Sequence, residues 1–560
     1  MNIRELKRPP VLDDPETYDA VVAYAERSIA DRPLLARPRN VALLAVLQIA
    51  EWLVGRATAR HLGSMVALAT SGTRPHAFPQ YQAEVEAQLH ALRPVLRAID
   101  IAGRPDQRPL TVGETELKEA GMALLAGAFT SSALALLDEA VIGWRDFRVS
   151  GKEVALFHRS PAHMRRRIHG ALHAEAAHNA PLMDGTPSEE ELRSYERINA
   201  LQDGANTWEW MRDDDLIAGA LTHARRASVQ LHRWDLDDVV VGASGPFTVG
   251  EFQRVAEVIH AIATVGDLIG DPEATHGASR ILRGPRAEWV RVCAQHAQLD
   301  TSRVVAALEF MTRRAVDEPR GRVEGRAATT NPLFDLGGEE LALSVLCTMW
   351  QDPVWALLAT WARRAPADLG AKMKERGHRL AARIHALFAA RGWVSVLERQ
   401  IPGSDLDVAT AIHSDPFTIV VEAKAFIEDP VRQAEDPKVW TQLANNVDSM
   451  RDPDLFRTVF RTERLQAGEV VGLVVVPEYM SPAGDLGSDF SATGFEDLSR
   501  LSDQAASPRD LWRRLRAAET EADFPLKTER LAFGDWTLVF DIGDRAALPA
   551  AVRATVASGR

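Results

Sequence analysis

The residues best placed to do chemistry in this 560-residue chain are Asp407, Glu422 and Lys424. The run Ile419-Val-Val-Glu-Ala-Lys-Ala-Phe426 reads as a strand dense in β-branched residues, yet two charges stand inside it. Strand side chains alternate faces, so Glu422 and Lys424 share one. Charges inside an apolar strand break the local folding rule, and such breaks concentrate at functional sites. Asp407 falls on the preceding strand, and a hairpin between the two strands carries its carboxylate toward Glu422. Two carboxylates held together are costly unless a cation sits between them. An oxygen-rich site of that kind suits Mg²⁺ or Mn²⁺. A Lys beside the cation can orient a water and stabilise charge on a phosphate under attack. The chemistry open to the trio is metal-assisted phosphodiester hydrolysis. The competing reading is an exposed Glu–Lys pair on an edge strand.

The surrounding elements are what would position the trio. Glu375 to Arg391 reads as an amphipathic helix with Leu380, Ile384, Leu387 and Phe388 on one stripe, and Gly392 is its stop. Strands are expected over Trp393–Gln400, Leu406–Ile412 and Phe417–Phe426, separated by turns at Pro402-Gly403 and His413–Pro416. Asp436 and Pro437 open a helix running to about Met450. Val470–Val476, apolar throughout, reads as a central buried strand. Glu-x-Lys recurs at Glu5/Lys7 and Glu116/Lys118, the latter after Pro105-Asp106. Lys118, however, leads directly into a helical stretch. Strand context separates the candidates, not the letters.

With that context, residues from about 370 to 480 resemble the PD-(D/E)xK nuclease superfamily. The resemblance is carried by Asp407 in Ser404-Asp-Leu-Asp-Val-Ala-Thr-Ala411, by Glu422-Ala-Lys424, and by the helix–strand order. It implies a restriction-endonuclease-like αβββαβ core in which Asp407 and Glu422 bind a divalent metal. The Ala423 carbonyl would be a third ligand, and Lys424 would assist the attacking water. Asp405, two residues before Asp407 and so on its face, is the fallback ligand. Leu406 stands where the family name has proline. The Glu that many members carry on the first helix is missing, because Ala381 follows Gly377-His378-Arg379-Leu380 and Glu375 is out of register. Gln442, or Gln433, matches a Gln that some members carry on the helix after the Lys strand. The resemblance spans roughly a fifth of the chain.

Other constellations are weaker. His169 and His173, with Glu175 and His178, have metal-ligand spacing but lack the zinc-protease Glu. Arginines at 165–167, 225–226 and 313–326 could meet phosphates, though solvated helix faces explain each one alone. No Walker A pattern is present. Cys293 and Cys347 match neither a zinc site nor a disulfide framework and read as core residues of a protein in a reducing cytoplasm. No signal peptide is visible. The charge-free run Ala120–Leu137 is Ala- and Gly-rich and reads as a buried helix, not a membrane span.

The net charge is −13, which excludes nucleic-acid binding by a global basic coat. Residues 366–480 hold 14 Lys/Arg against 17 Asp/Glu, so duplex binding would need the N-terminal region or a partner. An α+β protein is expected. Residues 1–316 form a mainly helical recognition or regulatory region, 317–331 a linker, 332–365 a helical connector, and 366–545 the nuclease-like domain. The expected function is Mg²⁺- or Mn²⁺-dependent cleavage of DNA, in defence or repair by analogy. The alternatives are an RNA nuclease or a non-cutting scaffold. A homo-oligomer or a partner protein is compatible with this.

Overall fold

The candidate site depends on the segment that begins at Pro366, a helix that gives way to strand alternation at Val394. In the computed structural model the described residues are 13–61, 78–141, 145–158, 210–228, 236–270, 276–313, 331–349, 353–425, 437–477, 489–518 and 526–543, with isolated positions between 189 and 201. The architecture is mixed α and β, with a mainly helical N-terminal region and sheets toward the C-terminus. It divides into two units. One comprises Pro15–Asp138 and Asn179–Pro366, and the other Met1–Asp14, Glu139–His178 and Ala367–Arg560.

The first unit is built around long helices at Arg39–Arg60, Phe78–Ala102 and Val249–Ile269, with a four-stranded sheet formed by 281–285, 340–344, 333–335 and 312–313. Apolar helix positions such as Leu43, Leu47, Val85, Leu92 and Val95 are buried in one core. A capping box opens the helix Val249–Ile269: Thr248 accepts from the Glu251 N–H at 3.1 Å, and Glu251 accepts from the Thr248 N–H at 2.7 Å. Glu51 is buried but satisfied by Ser344 Oγ (2.6 Å), the Leu346 N–H (2.7 Å) and Arg280 (3.0 Å), which offsets the cost of burying its charge. The charge-free run lies in the helix Glu114–Val141. That helix and Arg39–Arg60 are long and apolar enough to cross a membrane, with 56% and 72% of their apolar windows buried in the fold. Lys118 pairs with Glu114 on an exposed helical turn.

The segment 332–365 is not the helical connector its sequence suggests. Strands Leu333–Asp335 and Glu340–Ser344 precede helices Val345–Met349 and Pro353–Arg364. The run Leu341–Ser344 lacks helical caps and pairs with Ile281–Pro285 instead. That long-range partner leaves no local signal. The His169 cluster, Arg165–Arg167 and residues 314–330 lie outside the described residues.

The second unit holds two sheets. Strands β1 (Arg145–Ser150) and β2 (Glu153–His158) join a C-terminal pair, and the candidate site lies in the other sheet. Helix α1 (Pro366–Ala390) leads into β3 (Val394–Ile401), β4 (Ser404–Ile412) and β5 (Asp415–Ala423). Helix α2 (Pro437–Met450) crosses over, followed by α3 (Pro453–Phe460), β6 (Glu469–Val476) and β7 (Phe490–Gly494). The sheet order is β7-β6-β5-β4-β3, with β3–β4 and β4–β5 antiparallel and β5–β6 and β6–β7 parallel. Helices α4 (Phe495–Asp503) and α5 (Pro508–Ala518) precede β8 (Leu526–Phe533) and β9 (Trp536–Gly543), which complete the sheet of β1 and β2. Pairing of β9 with β2 brings a hairpin from the first third of the chain into the C-terminal unit, so this unit is not confined to 366–545.

Helices cover both faces of the five-stranded sheet. Leu380, Ile384 and Phe388 of α1 pack with Ile419, Val421, Val471, Leu473 and the α4–α5 residues Leu498 and Leu511. Val439, Leu443 and Val447 of α2 pack with Val420, Val470 and Val474 on the opposite face. Each such aliphatic or aromatic side chain contributes about 1.5–3 kcal/mol on burial. The two-sided cover explains the unbroken apolar run of β6. Gly392 ends α1 at φ 74°, as its position suggests, and Phe388 stacks on Trp393 at 5.5 Å.

Candidate active site

The β4–β5 register pairs Val408 with Val421, so the next position sets Asp407 opposite Glu422. The ladder stops there, and Asp407 Oδ2 accepts the Ala423 N–H at 2.8 Å. A carboxylate thus takes the place of a backbone carbonyl at the end of the hairpin. Lys424 lies just past β5, yet its N–H still bonds the Val475 carbonyl at 2.9 Å. The N–H and C=O of one strand residue lie on the same edge, so the Ala423 carbonyl is on the Asp407 side.

Glu422 is fully buried, and its carboxylate forms an ion pair with the half-buried Lys424 ammonium. Burial, and secondarily the charge of Asp407, pushes the Glu422 carboxyl up to about 7 against the pull of Lys424. Asp407 is also held above the usual carboxylate range. Burial is the main cause, and Lys424 and the Ala423 N–H offset part of it. Glu398 on β3 raises Asp407 further, while His378 on α1 opposes it.

Asp405 does not share the environment of Asp407. Leu406 and Ala409 pack in one core and Val408 in the other, so strict alternation fails at Asp407. The flanking β3–β4 pairs are Leu406 with Arg399 and Val408 with Leu397. Opposite the break stands Glu398, a non-glycine residue at φ 44°, a conformation that is uncommon for its type. Asp405 is consequently exposed, whereas Asp407 is half-buried.

Gln442 is half-buried on α2. Among the described residues it is Asn446, one turn further on, that reaches the site: its Nδ2 donates to the Asp405 carbonyl at 3.0 Å and lies 3.5 Å from Glu422 Oε2. Gln433 lies outside the described residues. Sequence reasoning missed Asn446, although a signal existed: it is a polar residue inside the apolar stripe of Val439, Leu443, Val447 and Met450. It also missed Glu398, which pairs with His378; no local pattern marks a left-handed strand residue opposite Asp407.

Among the described residues, no group of three His, Cys, Asp or Glu side chains is arranged around a common ion position. The donors present are two desolvated carboxylates and a backbone carbonyl. Buried Glu422 Oε1 has no hydrogen bond among the described residues and is met by Lys424 as an ion pair. Such a set fits a hard divalent cation that keeps several waters, and fits zinc poorly. No protein-family model matches the chain, and no curated protein or solved structure matches it significantly.

Proposed function

We propose that this protein is a divalent-metal-dependent nuclease that hydrolyses phosphodiester bonds in DNA. On this reading the α1–β3–β4–β5–α2–β6 segment is a restriction-endonuclease-like domain of the PD-(D/E)xK type. The observation that carries it is the pairing of two desolvated carboxylates, Asp407 and Glu422, with Lys424 at the end of a buried strand. Both carboxyls are driven toward protonation by their surroundings, and a cation would relieve that strain where a structural ion pair would not require it. Asp407, Glu422 and the Ala423 carbonyl would hold Mg²⁺ or Mn²⁺. Once bound, the ion supplies charge neutralisation at the phosphate and acidifies a water. Lys424 orients the attacking water and places positive charge where the transition state gathers negative charge. Burial of Glu422 beneath the strand end keeps the acid pair fixed in place, so little reorganisation accompanies reaction.

The first unit would supply recognition or regulation, and a second copy or a partner protein would supply basic contacts that the acidic C-terminal segment lacks. A role in defence against foreign DNA or in repair, within the cytoplasm, follows by analogy. A non-cutting scaffold is the second reading, favoured by one observation: at the first-helix position, α1 carries Ala381 rather than an acid. The deciding experiment incubates the full chain with duplex DNA, single-stranded DNA and RNA, with Mg²⁺, Mn²⁺ or EDTA. Cation-dependent DNA cleavage that Lys424→Ala removes supports the proposal. Cleavage of RNA alone reassigns the substrate. Cation binding without cleavage of any substrate supports the scaffold.

A further inference from the structure

We propose that Asn446 is a positioning residue of the cation site, one that fixes Glu422 relative to Asp407. This rests on the reading above that Asp407 and Glu422 hold a divalent cation. Asn446 is fully buried on α2, among the apolar residues that pack this helix on the sheet. Its single amide group reaches both acid-bearing strands. Nδ2 donates to the Asp405 carbonyl on β4 at 3.0 Å and lies 3.5 Å from Glu422 Oε2 on β5. Both partners are acceptors, so the NH₂ end of the amide must face them.

That orientation has a consequence for the other end. Asn446 Oδ1 is buried with no hydrogen-bond donor among the described residues. A buried acceptor in that state is costly, and a leucine of similar size would fill the apolar stripe without the cost. As a packing residue Asn446 is therefore a poor choice. What the amide does, and leucine could not, is tie Glu422 to the main chain two residues before Asp407. Position 446 is thus expected to affect the site without being needed for the fold.

The test measures Mn²⁺ affinity by calorimetry on the full chain, with no nucleic acid present. The variants are Asn446→Leu, Asn446→Ala, Glu422→Gln and the Asn446→Leu/Glu422→Gln double. Residues that orient metal ligands typically change affinity by about 10–100-fold when lost. Asn446→Leu is expected to weaken Mn²⁺ binding about tenfold with an unchanged or higher melting temperature. In the Glu422→Gln background the same change is expected to add nothing, because its effect passes through Glu422. Affinity within twofold of wild type in Asn446→Leu overturns the proposal, and so does a fully additive double variant. Failure of both position-446 variants to fold also overturns it, since the residue would then be holding the fold. A wild type that binds no Mn²⁺ sinks the cation reading and this inference together. A wild type that binds Mn²⁺ but cuts nothing sinks the nuclease reading alone.

Discussion

Glu422→Gln should make this protein more stable at alkaline pH in the absence of divalent cations. In the fold the Glu422 carboxyl is raised to about 7 by burial and by Asp407, against roughly 4.3 in an unfolded chain. A raised acid favours the protonated form in the native state. Its contribution is therefore fully present below pH about 4.3, is lost as pH rises toward about 7, and changes little above that. A displacement of about 2.7 units is worth about 4 kcal/mol at 1.36 kcal/mol per unit. Glutamine imitates the protonated form and escapes the loss. Thermal unfolding in EDTA should give nearly equal midpoints for wild type and Glu422→Gln at pH 4.5. At pH 8 the variant should unfold roughly 8–16 °C higher, at about 2–4 °C per kcal/mol for a domain of this size. Saturating Mg²⁺ should raise the wild type at pH 8 more than the variant, since ligand that binds only the native state stabilises it in proportion to its affinity. Parallel midpoints from pH 4.5 to pH 8 in EDTA would refute the reasoning. So would a variant less stable than wild type at pH 8, because Glu422 would then be a stabilising ion-pair partner.

Lys424→Ala should lower cleavage by about 10²–10³-fold in single-turnover assays, with nucleic-acid binding by filter retention nearly unchanged. Asp407→Ala should lose cleavage through lost cation affinity, so excess Mn²⁺ should restore part of its activity and none of that of Lys424→Ala. In the other sheet, Asp541 accepts from Arg145 at 2.7 Å and lies 3.1 Å from His158 Nδ1. Burial would raise its carboxyl, but His158 and Arg145 outweigh that and draw it down to about 2. Its contribution of about 2 kcal/mol should be intact above pH about 4 and disappear as pH falls through about 2, and Asp541→Asn should flatten that part of the wild-type acid-denaturation curve. Gly468→Ala should cost about 1–3 kcal/mol in denaturant titration, because a Cβ there would stand 2.0 Å from the Pro416 carbonyl oxygen.

The sequence by itself determined the elements that rest on local periodicity and caps. The stripe of Leu380, Ile384 and Phe388, the stop at Gly392, the three strands after it, the Pro437 helix and the apolar β6 are all where the spacing puts them, because each follows from contacts within a few residues. It also singled out Asp407, Glu422 and Lys424, since charge inside an apolar strand is legible without any partner. Tertiary structure alone decided the rest. Whether Asp405 or Asp407 faces the hairpin depended on a break in alternation opposite Glu398, and a period-two pattern contains no record of such a break. The strand at 340–344 exists through pairing with residues some 60 positions earlier, and the hairpin at 145–158 pairs with residues almost 400 positions later. No local propensity encodes either partner. Asn446 became a site residue only when α2 was laid across β4 and β5, because a hydrogen bond between a helix and two strands is fixed by how they pack and not by the order in which they occur.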